Sequence, residues 1–158
     1  PDLRPLRALI AKGADVNRAH GGITPLLAAT RDSYQGRPDA VTTLLANGAD
    51  ARFADAAGDT PLHHAARCVE PIVAALLVDA GADVDAVNRE GMTALGIACG
   101  AANWSVAGFL LDRRAKPDVA AALPALLLAA GIDADDPTGV SLLLRQRANV
   151  DAPYSYDI

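Results

Sequence analysis

The stretch Gly58-Asp59-Thr60-Pro61-Leu62-His63-His64-Ala65-Ala66 predicts how one unit of this chain folds. The hydroxyl of Thr60 can cap a helix, and Pro61 suits the first helical position, where no backbone N–H donor is needed. Leu62 and the closing pair of alanines recur at helical spacing, which indicates a short helix with a narrow apolar stripe. This helix must bury its stripe against a neighbouring element.

The residues that follow predict a second helix and a hairpin. After a turn near Cys68–Glu70, residues 71–80 carry aliphatic side chains at helical spacing. The helix is expected to end at Gly81, because glycine takes the left-handed C-cap geometry at little cost. A polar hairpin then leads to Gly91, where a similar phrase begins. Since one pair of helices cannot bury its own apolar faces, neighbouring pairs must stack side by side.

The pattern recurs along the chain with a nearly constant period. Alanines at positions 14, 49, 82, 115 and 148 are separated by 35, 33, 33 and 33 residues. An aliphatic pair, such as Leu44-Leu45 or Leu110-Leu111, precedes each of these alanines. Five phased copies of a two-part pattern indicate an internal repeat and therefore a repeat architecture.

The repeat resembles the ankyrin consensus. The phrase Thr60-Pro61-Leu62-His63-His64-Ala65-Ala66, the pair Leu76-Leu77 and the phrase Gly81-Ala82-Asp83-Val84 match that consensus almost letter for letter. The resemblance covers nearly the whole chain. It implies an all-α ankyrin-repeat solenoid of stacked helix-turn-helix units joined by β-hairpin-like loops. It also implies a module that binds another protein or peptide, without indicating which one.

The copies divide the chain, as one domain of residues 1–158, into unequal units. The expected units are a partial leading repeat at 1–20, repeat one at 21–55, repeat two at 56–88, repeat three at 89–119, a degenerate capping repeat four at 120–152 and a tail at 153–158. Repeat one carries three extra residues within Asp32–Asp39. In repeat three, Arg114 stands where the preceding units have glycine, and left-handed geometry at a non-glycine residue costs ~1 kcal/mol.

Composition argues against several functional classes. The net charge of −5 argues against a nucleic-acid partner. The uncharged run 91–111 is long enough to span a bilayer, but its glycines and the predicted turn in its middle argue against a membrane span. Cys68 and Cys99 do not make a disulfide framework, and Pro1–Arg4 does not open a signal peptide, so free thiols and a cytoplasmic location are expected. Heavy use of Ala and Arg fits a bacterial source.

Potential ligands and nucleophiles cluster around the opening phrase of repeat two: Asp59, His63, His64, Cys68 and Glu70. A metal site or a Cys–His pair is one interpretation. Adjacent helical residues point about 100° apart, so the two histidines would not share one ligand face. A catalytic cysteine also needs an electropositive setting and a base in reach. The resemblance implies instead that His63 bonds to backbone and to the threonine of its own phrase, and that His64 packs between helices.

No other part of the sequence carries a stronger catalytic or metal-binding pattern. The stretch Asp133-Ala134-Asp135-Asp136-Pro137-Thr138-Gly139 loosely resembles a calcium loop, but it lacks the remaining ligands and the bidentate glutamate. A helix–helix loop is the favoured interpretation. Phosphate-binding loops, zinc motifs and nucleophile elbows are missing from the sequence. We therefore predict no enzyme activity, no metal and no cofactor.

The ankyrin resemblance implies a binding surface on the concave face, where hairpin tips and the exposed ends of the first helices meet the partner. The candidate contacts at hairpin tips are Arg18, His20, Asp59, Arg89, Glu90 and Met92. The candidates at helix ends are Arg31, Asp32, Arg67 and Cys68. Tyr34, inside the inserted loop, is an alternative anchor, and Trp104 is expected to open the outer helix of repeat three.

Three functional interpretations stay open at this point. The leading one is a protein-interaction module, monomeric as this fragment, whose arginines favour a partner that presents carboxylates. The second is a targeting or regulatory domain of a larger bacterial enzyme, effector or membrane protein. The third, and least favoured, is an enzyme with a site near His63 and Cys68.

Overall fold

The computed structural model describes residues 2–31 and 36–116, together with positions 138 and 141. The helices between residues 2 and 116 are α1 (Arg4–Ala11), α2 (Pro25–Thr30), α3 (Pro38–Ala46), α4 (Pro61–Ala65), α5 (Ile72–Asp79), α6 (Ala94–Gly100) and α7 (Trp104–Asp112). Within the same ranges β structure is limited to one isolated antiparallel bridge, between His20 and Ile23. The all-α prediction with hairpin-like connections is confirmed.

The short helices α2, α4 and α6 begin at the threonines of the repeated phrase. The hydroxyl of Thr24 accepts the N–H of Leu27 at 3.3 Å, and that of Thr93 accepts the N–H of Gly96 at 3.1 Å. In α4 the cap is different, because the N–H of Thr60 donates to the side chain of His63. The threonine phrase therefore starts a helix in each described repeat, as the sequence predicts.

The helices stack in two layers. We call α2, α4 and α6 the inner helices, and α1, α3, α5 and α7 the outer helices. Neighbouring inner helices pack together, α3 packs on α5, and each inner helix packs on the outer helix that follows it. The core between the layers is aliphatic and rich in alanine, with Leu44, Leu77 and Leu110 almost completely buried at equivalent positions. This arrangement is the predicted solenoid.

Each outer helix ends in a residue with left-handed backbone geometry. Gly13, Gly48 and Gly81 have φ angles of 85°, 86° and 92° after α1, α3 and α5. After α7 the same geometry falls on Arg114, whose φ angle is 67°. The sequence prediction that Arg114 replaces a glycine in this conformation is confirmed.

The uncharged run 91–111 folds as two helices rather than one. A turn at residues 101–103 separates α6 from α7, and the two helices pack against each other. Among the described residues, no helix has the length and apolar character that crossing a membrane requires. The predicted turn in the middle of this run is therefore confirmed.

Several predicted features fall outside the described residues. They are Asp32, Tyr34, repeat four at 120–152 apart from positions 138 and 141, the tail at 153–158 and all of the calcium-like loop except Thr138. Trp104, by contrast, opens α7 as predicted, and it is half-buried against the core.

Candidate protein-binding surface

Three hairpin tips project from the helical stack, at residues 20–23, 55–59 and 88–92. In the first, His20 and Ile23 exchange two backbone hydrogen bonds, at 3.0 and 3.1 Å. In the second and third, the N–H groups of Asp55 and Asn88 each donate across the tip, to the carbonyl oxygens of Asp59 and Met92, both at 3.0 Å. We call these three tips, together with the C-terminal ends of the inner helices, the tip surface.

The side chains of Asp55 and Asn88 build the second and third tips from inside. Oδ1 of Asp55 accepts the N–H groups of Ala57 and Asp59 at 2.9 and 3.0 Å. Oδ1 of Asn88 accepts the N–H groups of Glu90 and Met92 at 3.0 and 2.9 Å. Because these oxygens satisfy backbone donors that would otherwise need water, they stabilise the observed conformation of the two tips.

Neighbouring tips are also bonded to each other. The N–H of Arg89 donates to the carbonyl of Ala57 at 3.0 Å, and the amide of Asn88 donates to Oδ1 of Asp59 at 2.7 Å. At Gly58 the two backbones come so close that a Cβ would lie 2.9 Å from the nitrogen of Arg89. The second and third tips therefore form one continuous, rigid surface.

His63 connects repeat two to repeat three from within the core. Its Nδ1 accepts from the N–H of Thr60 at 3.1 Å and lies 2.8 Å from the Thr60 hydroxyl, and its Nε2 donates to the carbonyl of Met92 at 3.0 Å. These partners require the proton on Nε2, because a carbonyl can only accept. Burial lowers the pKa of His63 and keeps the imidazole neutral. The bonding expected from the ankyrin resemblance is confirmed.

His64 has a polar partner that the sequence pattern did not indicate. Its Nε2 lies 2.9 Å from Oδ2 of Asp55, and both side chains are largely buried. Burial acts to raise the pKa of Asp55, but the hydrogen bonds from His64 and from two backbone N–H groups together outweigh it and lower the pKa. The pair thus joins an ionised carboxylate in the second tip to the inner helix of the same repeat.

Only one group of potential metal ligands comes together in the described ranges. Ligand atoms of Asp55, Asp59 and His64 lie within 4.8 Å of one another. Each of the three is already engaged: Asp55 with His64 and two backbone donors, and Asp59 with Arg67 and Asn88. The set works as a hydrogen-bonded support for the tip, and nothing in its bonding calls for a metal.

Two of the predicted contact residues are buried, so their assignment to the accessible surface is wrong. Asp59 is 7% exposed, and it holds Arg67 and Asn88 in place instead of facing solvent. Cys68 is 0% exposed. The reason is that α4 ends at Ala65 and the chain continues as a turn, in which the N–H of Cys68 donates to the carbonyl of Ala65 and the thiol is turned inward.

The remaining predicted contacts differ in accessibility. The exposed side chains at or next to the tips are Arg18, His20, Arg89 and Glu90, whereas Arg31 and Met92 are half-buried. The side chain of Arg67 is 49% exposed, and its guanidinium bonds to Asp59 at 3.4 Å and to the carbonyl of His63 at 3.1 Å. Arg67 is thus fixed in orientation with half of its surface still free to meet a partner.

A groove that the sequence did not reveal lies beside Arg67. Its volume is about 270 Å³, and its lining residues are Arg67, Val69, Ala101, Ala102 and Asn103. Val69 is 40% exposed, so its side chain is accessible from the groove. The groove therefore offers apolar contact next to a fixed positive charge.

With this geometry established, comparison with known proteins identifies the family. The sequence matches the family model for ankyrin repeats in three copies over residues 26–121, more than half of the chain. The chain belongs to the ankyrin-repeat family. Ankyrin repeats are in general protein-interaction modules and are typically not enzymes.

Individual relatives are similar to this ankyrin domain over parts of their length. "Ankyrin repeat and KH domain-containing protein mask-1" of Caenorhabditis elegans is 33% identical over 72% of this chain and 4% of its own length. Human "Ankyrin repeat domain-containing protein 63" is 33% identical over 86% of this chain and 35% of its own length. "Protein PhlB" of Serratia liquefaciens is 47% identical over 42% of this chain and 29% of its own length. The chain thus spans about a third or less of each relative.

The thiols of the ankyrin domain are not poised for chemistry. Burial raises the pKa of Cys68, and it raises the pKa of Cys99 to about 12. A nucleophilic cysteine needs the opposite shift, since the thiolate is the reactive form. His63 is committed to Thr60 and Met92 and is unavailable as a base. The geometry around His63 and Cys68 therefore gives no support to an enzymatic site.

Proposed function

We propose that this ankyrin domain binds a protein or peptide through its tip surface, the concave face of the stack. The observation that carries the proposal is the combination of free side chains and a fixed backbone at the second and third tips. Arg89 and Glu90 are exposed, while the main chain beneath them is bonded to the neighbouring tip. Surfaces that are already ordered lose less conformational entropy on association, which favours binding.

The charge of this surface indicates the partner's chemistry. The chain carries a net charge of −5, yet Arg67 and Arg89 belong to the tip surface and Arg18 lies two residues before the first tip, with Glu90 as an exposed acid beside Arg89. Arginine pairs with carboxylates through parallel hydrogen bonds, which gives geometric specificity as well as attraction. A peptide or protein segment with acidic side chains, and an apolar residue for the groove at Val69, fits these features.

An affinity capture with reversed charges tests the proposal. The bait is the full chain, and the test variant carries Arg18→Glu and Arg89→Glu. We leave Arg67 in place because Arg67→Glu would put a second carboxylate beside the buried Asp59. The matched control carries Lys12→Glu and Lys116→Glu, which changes the net charge equally at exposed positions away from the tips.

A protein captured by the parent chain and by the lysine control, but lost with the arginine variant, would support the proposal. Circular dichroism melts of all three proteins confirm that each is folded. Equal capture by the arginine variant would contradict binding through the tips. Equal loss with both variants would show a dependence on net charge alone and would also contradict it.

We also propose that the domain acts within a larger protein, as a targeting or regulatory unit. Support comes from the relatives, which extend well beyond the segment that matches this chain. Sequencing the complete open reading frame tests this idea. A frame that starts and stops within a few residues of this chain would contradict it.

A further inference from the structure

The groove lined by Val69 and Ala101 lies at the junction of repeats two and three, and the preceding junction is closed at the equivalent place. In the repeat register Gly36 is the counterpart of Val69, and Cys68 is the counterpart of Ala101. The backbone of Gly36 lies against Val73 and Cys68, so that a Cβ added to Gly36 would overlap Val73 and lie 3.6 Å from Sγ of Cys68. Cys68 is buried as a result, whereas Ala101 is exposed. The groove therefore belongs to this junction and not to the repeat as such.

The polar groups in the wall of this groove are already bonded within the chain. The side-chain amide of Asn103 donates to the carbonyl oxygens of Ala66 and Cys68, and its Oδ1 accepts the N–H of Val106 at 3.4 Å. The backbone N–H groups of the turn donate to carbonyl oxygens of α6 at Ile97, Ala98 and Cys99. The other uncharged lining residues are a valine and two alanines. Because the amide and these backbone donors are engaged, the wall favours an aliphatic side chain over a polar one.

Arg67 gives one side of the groove a positive charge. A guanidinium has five N–H donors, and the bonds of Arg67 to the carbonyl of His63 and to Oδ2 of Asp59 use two of them. The same bonds fix the orientation of the side chain, which is 49% exposed. The residues that line the groove include no acid. A carboxylate that enters the groove would therefore meet a fixed cation with N–H donors available.

We propose that the groove binds a short extended segment of a partner protein, which places an aliphatic side chain against Val69 and a carboxylate on Arg67. The volume of about 270 Å³ is small for a cofactor or metabolite site and suits one or two side chains. In an extended segment, residues two positions apart face the same side, so one intervening residue separates the aliphatic and the acidic residue. This assignment rests on the proposed protein-binding function and adds the motif that the partner must carry.

Two synthetic tripeptides test the proposal on the full chain. They are acetyl-Leu-Ser-Glu-amide and acetyl-Glu-Ser-Leu-amide, which present the same motif in the two chain directions. Each is titrated to millimolar concentration into the isotope-labelled protein, and the backbone amide signals are followed by NMR. With at least one of the two peptides we expect saturable shifts at Val69, Ala101 and Ala102, while the amides of α1 stay unchanged.

Matched controls separate the two halves of the motif. The same peptides with glutamine in place of glutamate, or with serine in place of leucine, should bind at least about threefold more weakly. On the protein, Ala101→Leu fills the groove from an exposed position and should abolish binding. Arg67→Gln should weaken binding at least about threefold, whereas Arg89→Gln, an equal loss of charge at an exposed tip, should bind as the parent does. The glutamine peptides test the role of Arg67 even if Arg67→Gln does not fold.

Any of three results would overturn the proposal. One is the lack of saturable shifts at the groove with both peptides. Another is equal affinity for the glutamine or the serine peptides, which would show that the motif is not recognised. The third is unchanged binding by a folded Ala101→Leu variant, which would place the peptide elsewhere. The capture experiment with Arg18→Glu and Arg89→Glu leaves the groove intact, so the proposed function can hold while the groove assignment fails.

Discussion

Arg114 occupies the position that glycine holds in the units before it, and it takes the same left-handed geometry. A Cβ in this region approaches the following carbonyl oxygen, which costs an L-residue roughly 1–2 kcal/mol. Arg114→Gly is therefore expected to raise the free energy of unfolding by about 1 kcal/mol, less than the full strain because glycine loses more entropy on folding. Urea denaturation, with the slope compared between the two proteins, measures this difference.

The equivalent position in repeat two supplies the reverse substitution. A Cβ built at Gly81, with φ of 92°, meets nothing within 4 Å, so Gly81→Arg tests backbone strain without a steric clash. We expect a loss of about 1 kcal/mol. A gain or no change at Gly81, together with no gain at Arg114, would show that these helix ends relax to another conformation.

The buried imidazole of His63 makes stability depend on pH. Burial holds its pKa below the ordinary value in the folded state, so the unfolded chain binds the proton more readily. The contribution of neutral His63 is complete above its unfolded pKa, about 6.5, and is lost as the pH falls below that value. We expect the melting temperature to fall between about pH 7.5 and pH 5.5 for this reason.

His63→Leu isolates this effect, because Leu27 fills the equivalent position of α2 and is buried. The variant loses the bonds to Thr60 and Met92, at a cost of roughly 1–3 kcal/mol near neutral pH. It should also show a smaller fall in melting temperature on acidification. His20→Gln, at an exposed histidine, should behave as the parent does. A fall of the same size in His63→Leu would assign the acid sensitivity to other groups.

These residues also show how far single positions can be inferred from sequence. The contact of His63 with the threonine of its own phrase was expected from the ankyrin resemblance, and the structure confirms it. Cys68 was predicted to be accessible but is buried, because its burial depends on how the turn rotates after the five-residue helix α4. Asp59 was also predicted to be accessible, and its burial depends on the approach of Asn88 from the next repeat. Neither feature is encoded in residues close to them in the sequence.

At the scale of elements, the close approach of the second and third hairpins can be tested with a matched pair of glycines. Gly58 and Gly91 hold equivalent positions, with φ angles of 79° and 76°. A Cβ at Gly58 would meet the backbone nitrogen of Arg89 at 2.9 Å, whereas one at Gly91 meets nothing within 4 Å. Gly91→Ala should therefore cost about 1 kcal/mol, from strain alone.

Gly58→Ala carries the same strain and also separates the two tips. We expect a cost at least about twice that of Gly91→Ala in chemical denaturation, because the bond between Arg89 and Ala57 is lengthened as well. Equal costs at the two positions would show that the tips are not in firm contact. That result would also weaken the proposal of a preorganised tip surface.

The order of the elements was predictable because the repeat contains its own boundary signals. The threonine phrase begins each inner helix, and the left-handed residue ends each outer helix, even where Arg114 replaces glycine. The tip surface was predictable only in outline. The groove beside Val69 and the pair of His64 with Asp55 depend on contacts between units and on side-chain direction, which a one-dimensional pattern does not specify.

At the scale of the whole molecule, one repeat position connects each unit to the next. Asn17 donates to the carbonyl of Gly48 at 2.9 Å and accepts the N–H of Asp50 at 2.7 Å. At the equivalent position of repeat one, Arg52 donates to the carbonyl of Gly81 at 3.0 Å. At the equivalent position of repeat two, Asp85 accepts the N–H of Lys116 at 2.9 Å. Three different residue types thus connect neighbouring units from the same repeat position.

This coupling allows the local stability of the leading unit to be tested separately from that of the later units. No residue of helix α1 is fully buried, and the leading unit is held by the packing of Leu3, Leu6 and Val16 against the core together with the two bonds of Asn17. Asn17→Ala should remove roughly 1–1.5 kcal/mol of local stability. The amides of α1 should then exchange about ten times faster, while those of α5 are unchanged, because units in a linear stack contact only their neighbours.

Asn47→Ala is the matched control, because the amide of Asn47 donates only to Thr43 of its own helix, at 2.8 Å. It should leave the exchange of α1 amides as in the parent. If Asn17→Ala instead accelerates α1 and α5 equally, the stack unfolds as one cooperative block and the leading unit is not held separately. Faster exchange confined to α1 would show that the leading unit opens independently of the later units.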